Sequence, residues 1–127
     1  MVLMIDDDTD ALEIYNMLIG KNLSEHFVTK DNGRSALEFL SDIDKRQAFF
    51  PLYILLDLNM PGFDGVDFVE AYEKDLHQKY PDTAIMVLTS SVREKDNEKI
   101  LNYASVSSVM SKPITKEQLA KLIQNSI

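Results

Sequence analysis

Four short polar stretches of the chain carry side chains that could act together as one chemical site. They are Asp6-Asp7-Asp8, the single Asp57, Thr89-Ser90-Ser91 and Lys112-Pro113. Asp57 is the most informative, because it comes directly after the apolar run YILL and is followed by a loop with proline and glycine. An apolar run of this kind predicts a strand buried on both faces. A carboxylate at the end of such a strand needs a reason.

The acidic residues suggest what that reason is. Asp6, Asp7 and Asp57 would each raise the cost of ionising the others if they met at one edge of a sheet. A hard divalent cation such as Mg²⁺, which takes oxygen ligands, would relieve that cost, and so would the ammonium group of Lys112. A carboxylate can also attack phosphorus to form an aspartyl phosphate, a transfer that needs a metal ion, a fixed cation and a hydroxyl donor. The acidic pair, Lys112 and Thr89 would supply these parts, so the pattern predicts that Asp57 is phosphorylated.

Each of these residues also has an ordinary structural interpretation when it is considered alone. A DDD run before a helix usually caps the helix and compensates its dipole. Thr89 alone would be a strand-end hydroxyl bonded to the backbone, and Lys112 alone would be a surface lysine. Their joint placement favours the chemical interpretation over these separate ones.

Strands and helices alternate along the chain in a way that would bring the four stretches together. The predicted strands cover residues 2–5, 26–30, 52–56, 84–88 and 106–110. The predicted helices cover residues 9–19, 35–43, about 66–79, 93–103 and 115–127, the last with a capping box at Thr115 and Gln118. Such repeats predict a parallel sheet with helices on both faces and right-handed crossovers. Sites in this fold form at the carboxyl ends of the strands, where all four polar stretches fall.

Length and composition limit the classes of protein that fit. With 127 residues and no repeat or linker, the chain is predicted to be one domain, residues 1–127. The net charge of −8 disfavours direct binding of nucleic acid. No apolar run approaches the roughly 20 residues that span a bilayer, and the N-terminus does not resemble a signal peptide. We therefore expect a cytoplasmic protein without membrane contact. The chain has no cysteine, which excludes disulfides and thiolate metal sites.

The stretches LMIDDD, ILLDLNMPGFDG, LTSS and SKP, in this order and spacing, resemble the receiver domain of two-component response regulators. The resemblance covers essentially the whole chain. It implies a flavodoxin-like, doubly wound α/β fold with a five-stranded parallel sheet of order 2-1-3-4-5 and helices on both faces. It also implies that a histidine kinase or a histidine phosphotransfer protein donates a phosphoryl group, with Mg²⁺ as the cofactor.

The resemblance gives the acidic residues specific roles. Asp57 is the implied phosphoacceptor and a metal ligand. Asp7 would bind Mg²⁺ directly, Asp6 through water, and Asn59 through its backbone carbonyl.

The resemblance also gives roles to residues of the later strands. Thr89 is the implied switch hydroxyl, and Lys112 would pair with the phosphoryl oxygens. The peptide bond between Lys112 and Pro113 should be cis, a form that costs little free energy before proline. Asn59 and Ser91 would flank the path of the hydrolysing water and so tune the lifetime of the phosphate.

The sequence departs from the family pattern at two positions. Three residues before Lys112, where the family usually has a switch tyrosine or phenylalanine, this chain has Val109. A position usually filled by glycine or alanine is occupied by Ser107 or Ser108. We therefore expect the signal to travel by backbone shifts after Thr89. Partners should recognise the fourth long helix, the last strand and the closing helix.

A long segment, LSDIDKRQAFFPLY, separates the second long helix from the third strand and is of a kind found in single-domain receivers. Its simplest interpretation is a surface extension that packs Phe49 or Phe50 on the sheet edge. We expect no output domain after residue 127. We therefore expect a stand-alone receiver that acts as an adaptor or relay intermediate, or a receiver cut from a longer chain.

Three alternatives explain less of the sequence. A phosphohydrolase of the haloacid dehalogenase type needs D-x-D-x-T, but Asp10 stands at the threonine position and Asp57 would have no role. An EF-hand loop fails at Ala11 and Met17. A receiver-like interaction module that takes no phosphate is disfavoured, because every acceptor-site residue is retained. We expect a signalling phosphoacceptor and not an enzyme, with self-phosphotransfer and autodephosphorylation as its only chemistry.

Overall fold

Five parallel strands and six helices make up the part of the chain that this computed structural model describes, residues 1–90 and 94–127. The strands are β1 (Val2–Ile5), β2 (Phe27–Lys30), β3 (Tyr53–Asp57), β4 (Ala84–Thr89) and β5 (Val106–Ser111). The helices are α1 (Thr9–Leu18), α2 (Lys21–Ser24), α3 (Gly33–Arg46), α4 (Gly65–Asp75), α5 (Glu94–Leu101) and α6 (Lys116–Asn125). The sheet order is β2-β1-β3-β4-β5, which confirms the flavodoxin-like order predicted from the sequence.

Helices cover both faces of the sheet, as predicted. Along β1, Leu3 and Ile5 belong to the core cluster beneath α3, α4 and α5, whereas Val2 and Met4 belong to the cluster beneath α1 and α6. A strand that is covered on both faces must be apolar at every position. This explains the unbroken apolar runs of β1 and β3.

Parallel pairing brings the polar stretches to one edge of the sheet. β1 pairs with β3, β3 with β4, and β4 with β5, all in parallel. Asp6 follows β1, Asp57 ends β3, Thr89 ends β4 and Lys112 follows β5. The carboxyl ends of parallel strands lie together, so these four residues converge.

Capping side chains determine where several helices begin. Helix α3 starts two residues before its predicted start because Asn32 caps it, accepting a hydrogen bond from the Ser35 N–H at 2.8 Å. It ends where Gln47 adopts a left-handed φ of 53°. The capping box predicted for α6 is confirmed, with reciprocal hydrogen bonds of 3.1 and 2.9 Å between Thr115 and Gln118.

Helices α2, α4 and α5 also differ from the sequence prediction. Helix α2 has no predicted counterpart and follows Gly20, whose φ of 78° interrupts the helical path after α1. Helix α4 ends at Asp75, and the chain continues through turns to residue 80. The predicted start of α5 at Arg93 lies outside the described residues, and the helix is described from Glu94 to Leu101.

The segment between α3 and β3 packs through one of its two aromatic residues. Phe50 stacks on Tyr80 with the ring centroids 3.6 Å apart, and it lies against the core cluster beneath α3, α4 and α5. Tyr80 in turn donates a hydrogen bond to Asp44 at 2.7 Å. Phe49 is 92% exposed. Phe50 is therefore the residue of the pair that fixes this segment.

None of the helices within the described ranges is both long and apolar enough to pass through a bilayer.

Candidate functional site

Three carboxylates meet at the carboxyl edge of the sheet. One oxygen from each of Asp6, Asp7 and Asp57 lies within 4.8 Å of the other two. Asp6 and Asp57 are buried, at 5% and 4% exposure, because they continue the buried strands β1 and β3, while Asp7 is exposed. The structure thus brings together the acidic residues singled out in the sequence.

Lys112 joins two of these carboxylates. Its Nζ lies 3.0 Å from Asp6 Oδ2 and 3.1 Å from Asp57 Oδ2. Its backbone N–H donates to the Thr89 carbonyl at 2.9 Å, and its peptide bond to Pro113 is cis, as expected. The ammonium of Lys112 therefore bridges the side chains at the ends of β1 and β3. The backbone of Lys112 is hydrogen-bonded to the end of β4.

The charges at this edge do not fully balance. Burial and the neighbouring Asp6 raise the pKa of Asp57 to about 6, although hydrogen bonding to Lys112 opposes the change. Burial alone would lower the pKa of Lys112, but its hydrogen bonds to Asp6 and Asp57 outweigh burial and raise it. Lys112 therefore stays an ammonium while Asp57 remains under electrostatic repulsion near neutral pH.

Asp8, the third acid of the DDD run, has the ordinary role of capping a helix. Asp8 Oδ1 accepts a hydrogen bond from the Ala11 N–H at 3.1 Å and caps α1. The Asp8 N–H donates to Asp6 Oδ1 at 2.9 Å, which orients the Asp6 carboxylate. The capping of α1 thus leaves the other two acids available at the site.

A tight turn follows Asp57 and determines the position of Asn59. The Asn59 N–H donates to Asp57 Oδ1 at 3.2 Å, and the Asn59 residue is exposed at the rim of the site. Behind this turn, a Cβ on Gly65 would come within 2.9 Å of Leu58 Cα and 3.1 Å of the Asp57 carbonyl oxygen. Only glycine allows the start of α4 to pack this closely against the residue that carries the carboxylate.

The residues expected to change on signalling lie on β4 and β5. Thr89 is buried, at 2% exposure, at the end of β4. Val109 is half-buried in β5 and packs against the core cluster beneath α3, α4 and α5. The predicted tuning residue Ser91 lies outside the described residues.

One contact near the site was missed by sequence reasoning. Phe63 packs against Gly33, and the Arg34 guanidinium lies over the Phe63 ring. The NG pair at Asn32 and Gly33 predicted only a turn. The sequence feature that could have indicated the contact was Gly33, because a residue without a side chain leaves space for the Phe63 ring.

The donor groups at this edge suit a hard divalent cation. All three side chains offer carboxylate oxygens, two of them are buried, and the ammonium of Lys112 bridges this buried pair. The raised pKa of Asp57 indicates that negative charge remains to be offset. Mg²⁺ prefers oxygen ligands and is commonly held by one or two carboxylates together with phosphate oxygens. The residues present therefore fit a magnesium site.

Comparison with known proteins identifies the family. The sequence model of the response regulator receiver domain matches residues 2–124. The histidine-protein kinase BarA of Escherichia coli (strain K12) is 30% identical over 122 residues, which are 96% of this chain and 12% of that kinase. The two-component response regulator ARR22 of Arabidopsis thaliana is 30% identical over 124 residues, 98% of this chain and 81% of that protein. The crystal structure of a two-component response regulator from Cytophaga hutchinsonii has a TM-score of 0.78 at 23% identity, covering 98% of this chain and 94% of that chain.

The doubly wound sheet with an acidic pocket at its carboxyl edge is that of a signalling domain that accepts phosphoryl groups. The chain belongs to the response regulator receiver domain family of two-component systems. The matched residues make up only 12% of the length of the BarA kinase.

Proposed function

We propose that this receiver takes a phosphoryl group from the phosphohistidine of a histidine kinase or histidine phosphotransfer protein onto Asp57, with Mg²⁺ as cofactor. The observation that carries the proposal is the meeting of three carboxylates and Lys112 at one edge of the sheet. The similarity of the chain to part of a histidine-protein kinase supports a phosphohistidine donor.

Three side chains of the site would act directly in the phosphoryl transfer, as the nucleophile, the fixed cation and the hydroxyl donor. An Asp57 oxygen attacks the phosphorus, the N–P bond of the phosphohistidine breaks, and its electron pair remains on the imidazole nitrogen. Lys112, which lies 3.1 Å from Asp57 Oδ2, neutralises charge on the phosphoryl oxygens. The Thr89 hydroxyl then donates to one of them in a charge-assisted hydrogen bond.

The proposed metal ligands are the carboxylates of Asp7 and Asp57 and the backbone carbonyl of Asn59, with the carboxylate of Asp6 binding through water. When bound, Mg²⁺ would offset the charge of the carboxylates and of the incoming phosphoryl oxygens. The domain also needs a phosphohistidine donor, which is made with ATP. Because ATP is supplied in the cytoplasm, we propose that the domain works there.

The phosphate would be lost by autodephosphorylation, and the domain would have no other catalytic activity. Asn59, exposed two residues beyond Asp57, is proposed to flank the path of the attacking water together with Ser91. Neither is an acid or base suited to activating water, so we expect slow to moderate hydrolysis. We also propose that residues 1–127 form one receiver domain, which signals through α5, β5 and α6.

Incubation with phosphoramidate tests this function, because its N–P bond resembles that of phosphohistidine. We expect one phosphoryl group per chain by intact mass when Mg²⁺ is present, and none when EDTA replaces Mg²⁺. Absence of the adduct in both conditions would favour a phosphorylation-independent interaction module. Continuous release of phosphate without a stable adduct would favour a phosphohydrolase.

A further inference from the structure

The first turn of α3 contacts the loop between β3 and α4 beside the candidate metal site. The guanidinium of Arg34 lies 4.8 Å from the centroid of the Phe63 ring. A Cβ on Gly33 would come within 2.7 Å of Phe63 Cδ1 and 3.2 Å of Phe63 Cε1. The aromatic ring therefore occupies the space beside the glycine and is covered by the arginine. We name Gly33, Arg34 and Phe63 the loop clamp.

The loop clamp holds the second half of the loop that carries Asn59. The first half is anchored to the sheet, because the Leu58 N–H donates to the Leu88 carbonyl at 3.1 Å and Met60 is buried. The chain then turns through exposed residues at Gly62, whose φ is 78°. Phe63 is the next residue that packs against the core. The far end of the loop is closed by the Gly65 N–H, which donates to the Leu58 carbonyl at 3.2 Å, so the contact of Phe63 with α3 holds the stretch between Met60 and Gly65.

A cavity lies between the loop clamp and the acidic cluster. It has a volume of about 350 Å³, and its lining includes Asp7, Met60, Pro61, Arg34 and Phe63. Because this space is not filled by packed side chains, direct contact does not fix the distance between the loop and Asp7. The contact of Phe63 with Gly33 and Arg34 joins the α3 wall of this cavity to its loop wall.

We propose that the loop clamp positions the Asn59 backbone carbonyl relative to Asp7 and thereby sets the affinity of the site for Mg²⁺. The inference rests on the proposed function, because it requires these two residues to share the ion. The three clamp residues are positioning residues, since they act through the loop and not on the ion. Groups that orient metal ligands commonly change metal affinity by about 10- to 100-fold when they are altered.

Gly33→Ala tests the proposal, because its added methyl group must displace the Phe63 ring. We expect the Kd for Mg²⁺, measured by calorimetric titration of the unphosphorylated protein, to rise by about tenfold. The same substitution should change the Kd much less in a Phe63→Leu background, because two residues that act through one contact are not additive. Phe63→Leu alone should also weaken Mg²⁺ binding, which provides a second variant if Gly33→Ala does not fold.

Ile123→Val is the matched control for a general loss of stability. Ile123 of α6 is fully buried in the core cluster beneath α1 and α6, on the face of the sheet that the loop clamp does not touch. This variant should melt at a lower temperature but keep the wild-type Kd for Mg²⁺. Wild-type affinity in both Gly33→Ala and Phe63→Leu would overturn the role of the loop clamp. A wild-type protein that binds no Mg²⁺ would overturn the proposed metal site itself.

Discussion

Asp57 is the residue at which burial and charge conflict most clearly. Its carboxylate is 4% exposed and close to Asp6, and its pKa is raised to about 6 by burial first and by that neighbour second. Strongly shifted carboxylates concentrate at functional sites, where a cation or a reacting group offsets the conflict. The position is costly for the folded protein and suited to an acceptor of phosphoryl groups.

The raised pKa has a direct consequence for stability without Mg²⁺. In the folded protein Asp57 takes up a proton near pH 6, whereas in the unfolded chain its pKa returns to the ordinary 3.8. The folded state therefore binds more protons between these two values, and the contribution of Asp57 to stability rises as pH falls from above 6 to about 3.8. Asp57→Asn should lack this contribution and should melt at a higher temperature than the wild type near pH 7.5.

Thermal melts of both proteins across this pH range provide the measurement. The informative quantity is the difference between the two melting curves, because all other carboxylates are shared. A difference that stays constant with pH would show that Asp57 is not the group under repulsion.

At the scale of elements, β5 is the part that departs from the family pattern, at Val109 and at Ser107 or Ser108. Val109 has a stiff, β-branched side chain and cannot rotate inward as an aromatic switch would. Tyr103, at the end of the connection from α5, donates a hydrogen bond of 2.7 Å to Glu70 of α4. The carboxylate partner raises the pKa of Tyr103. This contact ties the start of β5 to α4.

Amide chemical shifts with and without beryllofluoride, a phosphoryl mimic, test how the signal travels. We expect large changes in residues 90–103 and 106–113, because the backbone and not an aromatic ring must carry the response. We expect phosphorylation to shift the population only slightly between the two conformations of the domain. A ligand biases two conformations only by its differential affinity for them. Changes centred on residues 49–52 would contradict this expectation.

The segment before β3 offers a matched pair of substitutions. Phe50→Ala removes the stack on Tyr80 and should lower the free energy of unfolding by about 2 kcal/mol. Phe49→Ala removes a side chain that is 92% exposed and should change it by less than about 0.5 kcal/mol. Chemical denaturation of both variants would measure the difference. Equal losses would mean that the stack does not anchor this segment.

The elements that sequence predicted well are those with a strong one-dimensional pattern. The apolar runs of β1 and β3 and the capping box at Thr115 and Gln118 are signals within a few residues. The pattern of β5 is weak, and its extension to Ser111 depends on pairing with β4. Pairing of this kind is a tertiary effect that no local pattern records.

The residues of the site also fall into those that sequence could predict and those that it could not. Asp6, Asp57 and Lys112 were predictable because each lies at a strand end, and the topology brings strand ends together. The contact between Gly33 and Phe63 was not predictable, because it depends on how a loop folds against a helix from another part of the chain. Sequence thus identified the residues that carry charge and missed a contact between a loop and a helix beside them.

At the scale of the whole molecule, the acidic pocket links metal binding to folding. Mg²⁺ should raise the melting temperature of the wild type through mass action, because the unfolded chain does not gather the three carboxylates. Asp7→Ala should lose this response. Asp10→Ala is the matched control, since Asp10 is an exposed acid in the first turn of α1 and outside the cluster. A wild-type melting temperature that ignores millimolar Mg²⁺ would make the acidic pocket a structural cap.

The central claim is that Asp57 accepts the phosphoryl group, and mapping the phosphorylated residue tests it most directly. The protein is incubated with acetyl phosphate and Mg²⁺, the adduct is counted by intact mass, and the modified residue is located by reduction with borohydride and peptide sequencing. We predict one phosphoryl group per chain on Asp57 and none on Asp57→Asn, which should remain folded because the two side chains have the same shape. A phosphoryl group on another residue, or an Asp57→Asn protein that still gains one, would contradict the account.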